Sequence, residues 1–276
     1  MWGIVPAAGR GSRIQPLAFS KELLPVGSRS RAGVERPCAV SEYLAERMIL
    51  GGATKLCFVI SPGKSDIMEY FGAEYGPAQI AYVVQPHPRG LCDAIFRADA
   101  VLAHDIPVIV GLPDTVWFPA DALAKMPNDI LSFLLFPVEH PEFFDAVILD
   151  EQGRVMMIEV KQPYTGSNWI WGAFKMPGRV FKELRTLWLA RSCQDEYFGT
   201  LVNAYLAGGG EAVGIKAGDS YVDVGTLNGY RAAMTLLAER ASSETHSDPL
   251  RGFGTWPASH AIHEGGGHEP ARSVDG

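Results

Sequence analysis

Flexible backbone and positive charge occur together near the start of the chain. An apolar run at residues 3–7 is followed by Gly9 and Gly11, and then by Arg13 and Lys21. Glycine lets backbone amides approach a ligand closely and bind anionic oxygens. A guanidinium offers a fork that matches phosphate, and a lysine ammonium offers a mobile point charge. The stretch therefore favours a triphosphate-binding turn, and the structural alternative is a tight strand-to-helix turn with solvated cations.

Two familiar glycine-rich motifs fit this stretch poorly. The dinucleotide-binding fingerprint needs a third glycine where Ile14 stands, and Pro16 interrupts the helix that should carry a pyrophosphate at its N-terminus. The phosphate-binding loop of nucleoside triphosphatases needs glycine, lysine and then serine or threonine, whereas this chain has Gly11, Ser12 and Arg13. A dehydrogenase is therefore the weaker alternative, and phosphate binding is expected without either motif.

An acidic residue follows an apolar strand in the middle of the chain. The segment VIVGLPDT, residues 108–115, carries Asp114 directly after its apolar run. Ligands of α/β sheets bind beyond the carboxyl ends of the strands, and Mg²⁺ prefers carboxylate and phosphate oxygens. Asp114 is thus a candidate metal ligand, while a single aspartate in such a place is also a common turn-capping residue.

The hydrophobic pattern predicts the elements that position these residues. Short apolar runs alternate with helical patterns over residues 1–128, which predicts βαβ units. One of these helices is expected to begin after Ser41 as its N-cap and to end at Gly51. Four strand candidates follow in succession after residue 129, and then helices and short strands alternate again. We therefore predict an α/β fold with a Rossmann-like mixed, mostly parallel sheet flanked by helices.

The composition limits the class of protein. The 276 residues are 47% apolar and carry a formal net charge of −7, which provides for a buried core and argues against a nucleic-acid partner. The chain shows no apolar run of about 18 residues and no signal peptide, so we expect no membrane span and a cytoplasmic location. The four cysteines lack paired spacing, which indicates reduced thiols rather than zinc ligands.

The last part of the chain differs in composition from the rest. Residues 241–276 are rich in Gly, Ser, Pro and His, so we predict a loosely ordered C-terminal tail after one domain over residues 1–240. His260, His263 and His268 lie in this tail. Because no scaffold preorganises them, we interpret them as a chance cluster and not as a metal site.

Several stretches of the chain together resemble a known family. GRGSR at residues 9–13, followed by Pro16 and by KELLPV at residues 21–26, resembles the signature of sugar-1-phosphate nucleotidylyltransferases, in particular glucose-1-phosphate thymidylyltransferase and UTP–glucose-1-phosphate uridylyltransferase. The resemblance spans residue 3 to the last predicted helix, with separate motifs in the family's order. It implies the nucleotide-diphospho-sugar transferase type of fold. It also implies a reaction of dTTP or UTP with a sugar 1-phosphate, of which glucose 1-phosphate is the first candidate, to give a dTDP- or UDP-sugar and pyrophosphate.

The resemblance also assigns the nucleotide side of the site. It implies that Arg13 and Lys21 hold the triphosphate and the departing pyrophosphate. The segment QPHPRG, residues 85–90, resembles the part of the thymidylyltransferases that contacts the pyrimidine, and an amide can both donate to and accept from an imide. LPDT is closer to the uridylyltransferases, so the choice of base stays open. The implied nucleotide-binding set is Ala8, Gly9, Gly11, Ser12, Gln85 and Gly90.

Metal and sugar phosphate are assigned in the same way. Asp114 and Asp223, the latter in YVDVGT, match the family's two metal-binding aspartates, which implies that both hold one Mg²⁺. Lys161 matches the cation that binds the sugar phosphate. No covalent enzyme intermediate is needed, because the sugar phosphate is already an anionic nucleophile. Positioning two polyanions that repel each other is then the main task of the protein.

The sugar side departs from the family. IEVKQP stands in the place of a Glu-Lys-Pro tripeptide, so the glutamate is displaced to Glu159, and Asp145 stands where close relatives have glycine. Gly172 is kept between Trp169 and Trp171, which we interpret as core residues, with stacking on a sugar face as the alternative. Asp145, Glu159 and Gly172 form the expected sugar-binding set.

These departures leave a second function open. The alternative is a catalytically weak or inactive nucleotide-binding regulator that kept the fold. A homo-oligomer is also expected, because relatives are often dimers or tetramers.

Overall fold

Strands and helices alternate along most of the chain in the computed structural model, which describes residues 1–31, 34–102 and 105–243. The strands are β1 (Trp2–Pro6), β2 (Pro25–Arg31), β3 (Val34–Ala39), β4 (Lys55–Ile60), β5 (Glu74–Tyr75), β6 (Ala78–Val84), β7 (Val108–Gly111), β8 (Thr115–Phe118), β9 (Leu131–Pro137), β10 (Asp145–Leu149), β11 (Val155–Val160), β12 (Trp169–Met176), β13 (Ala212–Ile215) and β14 (Ser220–Asp223). The α-helices are α1 (Val40–Leu50), α2 (Ser65–Phe71), α3 (Gly90–Arg97), α4 (Gly178–Ala190), α5 (Phe198–Ala207) and α6 (Leu227–Ser243).

Ten of the strands form one central sheet. Its middle is parallel, because β1 pairs in the same direction with β4 and β7, and β4 pairs in the same direction with β6. β12 runs antiparallel to β7, β9 and β10, and it connects the parallel middle to the hairpin of β10 and β11. Seven strands run in one direction, and β5, β11 and β12 run in the other. The prediction of a mixed, mostly parallel sheet is confirmed.

Helices cover both faces of this sheet. α3, α4 and α5 pack on one face, where the rings of Phe174 and Phe198 are stacked with 4.1 Å between their centroids. α1 and α2 pack on the other face, around Leu44, Phe58 and Phe71. Burial of each such side chain contributes about 1.5–3 kcal/mol. The double covering explains why the inner strands appear in the sequence as nearly continuous apolar runs.

Two small sheets and α6 form a third apolar cluster beside the central sheet. β2 pairs antiparallel with β3, and β8 pairs antiparallel with β14. α6 packs on them through Ala233, which contacts a cluster that includes Val26, Val116 and Val224. The sequence pattern did not predict β2, β3 or β8. The runs PVGSRSR and VERPCA contain too many polar residues and prolines to indicate strands, and β8 follows β7 too closely to be separated from it.

The predicted N-cap of α1 was wrong. The helix begins at Val40 after Ala39, whose N–H donates to Oε1 of Glu42 at 3.0 Å. Ser41 lies inside the first turn, and its hydroxyl donates to the carbonyl of Glu22 at 2.7 Å. A carboxylate three residues into the helix therefore replaces the serine at the cap. The serine instead attaches the helix to the segment that carries Lys21.

The predicted tail is only partly within the described residues. α6 continues to Ser243, and residues 244–276, with the three tail histidines, lie outside the described part of the chain. The four cysteines are free thiols, as predicted. Of the helices that the structure describes, none combines the length and the apolar character that a bilayer span requires.

Candidate active site

The pairing of β8 with β14 brings two distant aspartates together. Thr115 and Asp223 are direct partners in this antiparallel ladder, and the N–H of Val224 donates to the carbonyl of Asp114 at 2.8 Å. A Cβ atom placed on Gly225 would lie 2.8 Å from Oδ1 of Asp223 and 3.4 Å from Oδ2 of Asp114. Both carboxylates therefore border the same small space, although they are far apart in the sequence.

Two cations point into this space. Nζ of Lys21 donates to Oδ2 of Asp114 at 2.5 Å, and the guanidinium of Arg13 donates to Oδ2 of Asp223 at 3.1 Å. The side chains of Lys21 and Asp114 are only 14% and 13% exposed, whereas that of Arg13 is 62% exposed. Lys21 is thus held in place, while Arg13 can move to follow a ligand.

The Lys21–Asp114 pair shifts the titration of both groups. Desolvation by burial is the largest effect and opposes the charged form of Lys21, but the charges of Asp114, Glu22 and Asp223 and the hydrogen bond to Asp114 together outweigh it, so the pKa of Lys21 is raised. Desolvation likewise opposes the charged form of Asp114, but the charge and the hydrogen bond of Lys21 outweigh it, so the pKa of this carboxyl is lowered. Both groups are therefore charged near neutral pH.

The glycine turn supports Lys21 directly. Gly11 has φ = +64°, and a Cβ atom there would lie 2.7 Å from Cδ of Lys21. A Cβ atom on Gly9 would lie 3.9 Å from Nζ of the same lysine. The lysine side chain therefore packs across the turn, which explains physically why position 11 is a glycine, whereas a Cβ atom at position 9 would make only an ordinary contact.

A second, buried ion pair holds the segment around Lys21, and the sequence analysis missed it. Nζ of Lys64 donates to both carboxylate oxygens of Glu22 at 2.7 Å and to the carbonyl of Ala7 at 2.7 Å. Ser20 donates through its N–H and its hydroxyl to Asp66 at 2.6 and 2.7 Å. The residues on both sides of Lys21 are therefore fixed. The signal in the sequence was Glu22, a charged residue directly before the apolar run LLPV.

Burial shifts the pKa of each group in this second pair toward its neutral form. Desolvation raises the pKa of Glu22 and lowers that of Lys64, although each partner's charge acts in the opposite direction. The pair nevertheless satisfies the carbonyl at the end of β1, where the glycine turn begins. We assign Glu22 and Lys64 a positioning role, because their hydrogen bonds go to each other and to the carbonyl of Ala7.

The residues expected at the base form one compact unit. Nε2 of Gln85 donates to Oδ2 of Asp93 at 2.8 Å and to the carbonyl of Gly90 at 3.2 Å. Among the described residues, none donates to Oε1 of Gln85. Gly90 has φ = +85°, and a Cβ atom there would lie 2.7 Å from the carbonyl oxygen of Glu196, which also accepts the N–H of Leu91 at 2.9 Å. Gly90 therefore allows the start of α3 to touch the segment before α5.

Lys161 meets the same segment before α5. Its N–H donates to the carbonyl of Phe144 at 3.1 Å, and its backbone has φ = +46°. Its Nζ lies 4.4 Å from the centroid of the Tyr197 ring. Because Tyr197 directly follows Glu196, one short segment connects the lysine expected at the sugar phosphate with the glycine expected at the base.

The two acidic residues expected at the sugar are not brought together. In the ladder of β10 and β11, Asp145 is opposite Val160 and Ala146 is opposite Glu159. Successive side chains of a strand point to opposite faces of the sheet, so Asp145 and Glu159 project from different faces. Oδ2 of Asp145 accepts a hydrogen bond from Nε1 of Trp171 at 3.3 Å. Oε2 of Glu159 accepts the N–H of a surface loop residue, Gly166, at 2.8 Å.

Gly172 and the two tryptophans have packing roles in the structure. Gly172 lies at an irregularity of β12, and a Cβ atom there would be 2.6 Å from Phe136 and 2.7 Å from Tyr221. Trp171 is buried in the core, as the preferred interpretation predicted. Trp169 is half-buried, and Nζ of Lys216 lies 4.8 Å from its ring centroid.

Tyr221 lies between the aspartates expected at the metal and the residues expected at the sugar, and it was not singled out from the sequence. It lies two residues before Asp223, and its ring meets that of Phe144 edge to face with 5.7 Å between the centroids. Burial and the charges of Asp223, Asp114 and Asp145 raise its pKa well above the ordinary value. Three carboxylates therefore act on one phenol, which indicates that they surround the same region.

The donors present fit a hard divalent cation that brings its remaining ligands with the substrate. Asp114 and Asp223 offer carboxylate oxygens around one space, and two cations already compensate them. Within the described residues, no group of three or more His, Cys, Asp or Glu side chains could hold a metal by itself. Mg²⁺ commonly binds to one or two carboxylates together with substrate phosphates.

Comparison with known proteins identifies the family of this chain. The profile of the family described as nucleotidyl transferase matches residues 2–240. Glucose-1-phosphate thymidylyltransferase of Neisseria meningitidis is 25% identical over 253 residues, which are 86% of this chain and 82% of that enzyme. UTP–glucose-1-phosphate uridylyltransferase of Streptococcus pyogenes is 28% identical over 145 residues, which are 44% of each chain.

A solved structure shares the fold. The UTP-bound UGPase of Acinetobacter baumannii superposes with a TM-score of 0.69 at 21% identity, over 87% of this chain and 93% of that one. The match of the family profile extends over most of the described residues. The chain therefore belongs to the nucleotidyl transferase family and is an enzyme of the sugar-1-phosphate nucleotidylyltransferase type.

Proposed function

We propose that this chain transfers the nucleotidyl group of dTTP or UTP to a sugar 1-phosphate and releases pyrophosphate. The observation that supports this most is the convergence of Lys21, Arg13, Asp114 and Asp223 on one space beside Gly225. Two carboxylates and two cations in one place suit a substrate with several phosphates and a divalent cation. A binding site for a neutral ligand would not need this arrangement.

The proposed step is a direct displacement at the α-phosphorus. A phosphate oxygen of the sugar 1-phosphate attacks, a new P–O bond forms, and the bond to the bridging oxygen breaks so that pyrophosphate leaves with its electron pair. Lys21 and Arg13 hold the triphosphate and compensate the charge on the departing group. Lys161 holds the sugar phosphate from the other side of the cleft. When bound by Asp114 and Asp223, Mg²⁺ supplies further charge compensation to the phosphates.

Substrate binding must change the partners of the cations. Lys21 gives its shortest hydrogen bond to Asp114 in the described state, and Arg13 gives one to Asp223. In the complex, the two aspartates would contact the divalent cation. Lys21 and Arg13 would contact the polyphosphate in place of the aspartates. The charges of these four side chains cancel one another, which limits the cost of desolvating the aspartates, and a bound Mg²⁺ would offset part of the negative charge that a triphosphate adds.

The base is recognised through Gln85 in this proposal. Its amide nitrogen is held by Asp93 and Gly90, so the orientation of the side chain is determined before the ligand arrives. The Oε1 atom can then accept the imide N–H, which thymine and uracil share. This explains selection for a pyrimidine imide and leaves the choice between dTTP and UTP open. Glucose 1-phosphate is the first sugar to test, because it appears in the names of the thymidylyltransferase and uridylyltransferase relatives.

A second candidate function is a nucleotide-binding regulator with little or no turnover. The observation that favours it is Val160, an apolar residue in the position directly before Lys161, where the Glu-Lys-Pro tripeptide would place a carboxylate. Glu159 does not compensate for this loss, because it projects from the other face of the hairpin. In this case nucleotide would bind normally while the sugar phosphate would not react.

The decisive experiment is a matrix of four nucleoside triphosphates against several sugar 1-phosphates, read by pyrophosphate release with Mg²⁺. We expect turnover with dTTP, UTP or both, and a loss of roughly 100-fold or more in Lys161→Ala at unchanged nucleotide affinity. Lys125→Ala is the matched control, because Lys125 pairs with Asp121 on the surface, where both side chains are more than half exposed. Nucleotide binding without pyrophosphate release would favour the regulator, and absence of both would reject the proposed function.

A further inference from the structure

A carboxylate with few hydrogen-bond donors lies at the sugar end of the cleft. Asp145 is half-buried at the start of β10, and its Oδ2 accepts one hydrogen bond, from Nε1 of Trp171 at 3.3 Å. Among the residues that the structure describes, no other group donates to this carboxylate. An ionised carboxylate offers about four acceptor positions and no donor. Most of the acceptor capacity of Asp145 is therefore available to a ligand.

The position of Asp145 in the sheet is level with the metal side of the site. β12 pairs with both β7 and β10, and it aligns Gly111 with Ala173 and Ala146 with Ile170. β10 therefore begins close to the level at which β7 ends. β7 leads to Asp114, the first aspartate of the candidate metal pair. The carboxylate stands at the edge of the sheet where the other charged groups of the site collect.

Neighbouring contacts tie Asp145 to the other groups of the cleft. The preceding residue, Phe144, packs on Tyr221 and accepts the N–H of Lys161. Tyr221 lies two residues before Asp223. Burial raises the pKa of Asp145, and its hydrogen bond to Trp171 and the nearby charge of Lys161 act against this shift. Asp145 thus faces the region that a sugar phosphate on Lys161 would occupy.

The ladder of β10 and β11 places this carboxylate directly opposite Val160. Asp145 and Val160 are direct partners, so their side chains project from the same face, with Cβ atoms of such pairs about 4.5–5.5 Å apart. A Cβ atom on Gly199 would contact both of them, at 2.7 Å from Cγ2 of Val160 and 3.3 Å from Oδ2 of Asp145. The chain therefore has valine where a Glu-Lys-Pro tripeptide would place its acid, and it has an acid on the strand directly opposite.

We propose that Asp145 is the specificity-determining residue of the sugar site and accepts hydrogen bonds from hydroxyl groups of the sugar, in the place that a carboxylate at position 160 would otherwise fill. This inference rests on the proposed function. It excludes Glu159 from the sugar site. It also predicts the substrate class: neutral or amino sugars are accepted, and uronic acid 1-phosphates are rejected, because a second carboxylate beside Asp145 would be repelled.

The test compares four variants of the full chain with the wild type. Asp145→Ala and Asp145→Gly remove the carboxylate, Asp145→Gly with Val160→Glu moves it across the ladder, and Glu159→Gln is the matched control on the other face. The KM for glucose 1-phosphate, the KM for the nucleotide and kcat are measured, together with thermal unfolding. Glucosamine 1-phosphate and glucuronic acid 1-phosphate are then compared as substrates of the wild type.

We expect Asp145→Ala to raise the KM for the sugar phosphate roughly 10- to 100-fold, since a hydroxyl loses its acceptor, while the KM for nucleotide stays within about twofold. The double variant should recover about tenfold or more relative to Asp145→Gly, and Glu159→Gln should resemble the wild type. A structural role through Trp171 would instead lower the unfolding temperature without this separation of KM values. An unchanged sugar KM in Asp145→Ala, or a large effect of Glu159→Gln, overturns the inference.

Failure of the proposed transferase function can be distinguished from failure of the inference about Asp145. If the wild type releases no pyrophosphate with any substrate pair, the transferase proposal fails, and the sugar site is then read by calorimetry with glucose 1-phosphate alone. Weaker binding of glucose 1-phosphate by Asp145→Ala than by the wild type supports the inference in that case. Equal binding, or no binding by either protein, overturns it.

Discussion

Nζ of Lys21 lies 2.5 Å from Oδ2 of Asp114, and both side chains are largely buried. A buried pair of this kind loses much solvation energy, which its mutual attraction offsets only when the geometry is good. The lysine comes from the segment that follows the glycine turn, and the aspartate comes from the strand end that is expected to hold the metal. The contact therefore joins the two halves of the nucleotide site into one unit.

Breaking this pair on one side should destabilise the protein. We expect Lys21→Met to lower the free energy of unfolding by about 2–4 kcal/mol, because Asp114 is left buried without its partner. The double variant Lys21→Met with Asp114→Asn should recover most of this loss, since no unpaired charge remains. Urea denaturation measures both values. Lys125→Met is the control on an exposed pair, with an expected change below about 1 kcal/mol.

The same pair predicts how stability depends on pH. The lowered pKa of Asp114 means that its contribution is present above the pKa of the unfolded chain and is lost as pH falls through the folded value. The raised pKa of Lys21 means that its contribution is present below the unfolded value and is lost as pH rises through the folded value. The difference in the free energy of unfolding between the wild type and the double variant should thus be constant near neutral pH. At strongly acidic and at strongly alkaline pH the wild type should lose stability relative to the double variant. A difference that does not vary from about pH 3 to pH 11 would contradict the assigned shifts.

Removing either aspartate should eliminate metal-dependent turnover. We expect Asp114→Asn and Asp223→Asn each to reduce pyrophosphate release roughly 100-fold or more, because one carboxylate ligand and its charge are lost. Asp121→Asn is the control on the surface. Circular dichroism establishes that each variant is folded, and a Mg²⁺ titration tests for metal dependence. Near-normal activity in both aspartate variants would reject the metal assignment.

Lys64 should matter for activity although it does not face the substrate. We expect Lys64→Met to reduce stability by about 3 kcal/mol, since Glu22 becomes an unpaired buried acid, and to lower kcat/KM because the carbonyl of Ala7 and the glycine turn lose their anchor. Lys64→Met with Glu22→Gln should restore stability more than activity. Equal recovery of both quantities would show that the pair has no positioning role.

The ionised carboxylate of Asp145, which we propose binds the sugar, should lower the stability of the fold at neutral pH. Its raised pKa means that the fold favours the protonated acid, so this contribution to stability is present at low pH and is lost as pH rises through the folded value. The stability of Asp145→Asn relative to the wild type should therefore be higher at about pH 7 than at about pH 4. Thermal unfolding of both proteins at both pH values tests this. A larger advantage of the variant over the wild type at the lower pH would contradict it.

Local sequence was sufficient for most elements and for the charged groups near the turn. The apolar run before Gly9 and the alternation of strands and helices predicted the parallel middle of the sheet, because each strand buried on both faces must be apolar on both. GRGSR and the segment KELLPV indicated Arg13 and Lys21 as a pair. By contrast, α1 showed how a local rule can fail, because Glu42 and not Ser41 caps the helix.

Pairings between distant segments were beyond the reach of the sequence. Only the tertiary structure decided that Asp223 meets Thr115 in a two-stranded sheet, that Lys64 reaches Glu22 beneath the glycine turn, and that Asp145 faces Val160. The sequence by itself determined which residues carry charge and which segments form strands, because these follow from side-chain chemistry and from local periodicity. Strand register determined which charges share a face, since a shift of one residue reverses every side chain. For this reason Asp145 and Glu159, both acidic and both expected at the sugar, point to opposite sides of the same hairpin.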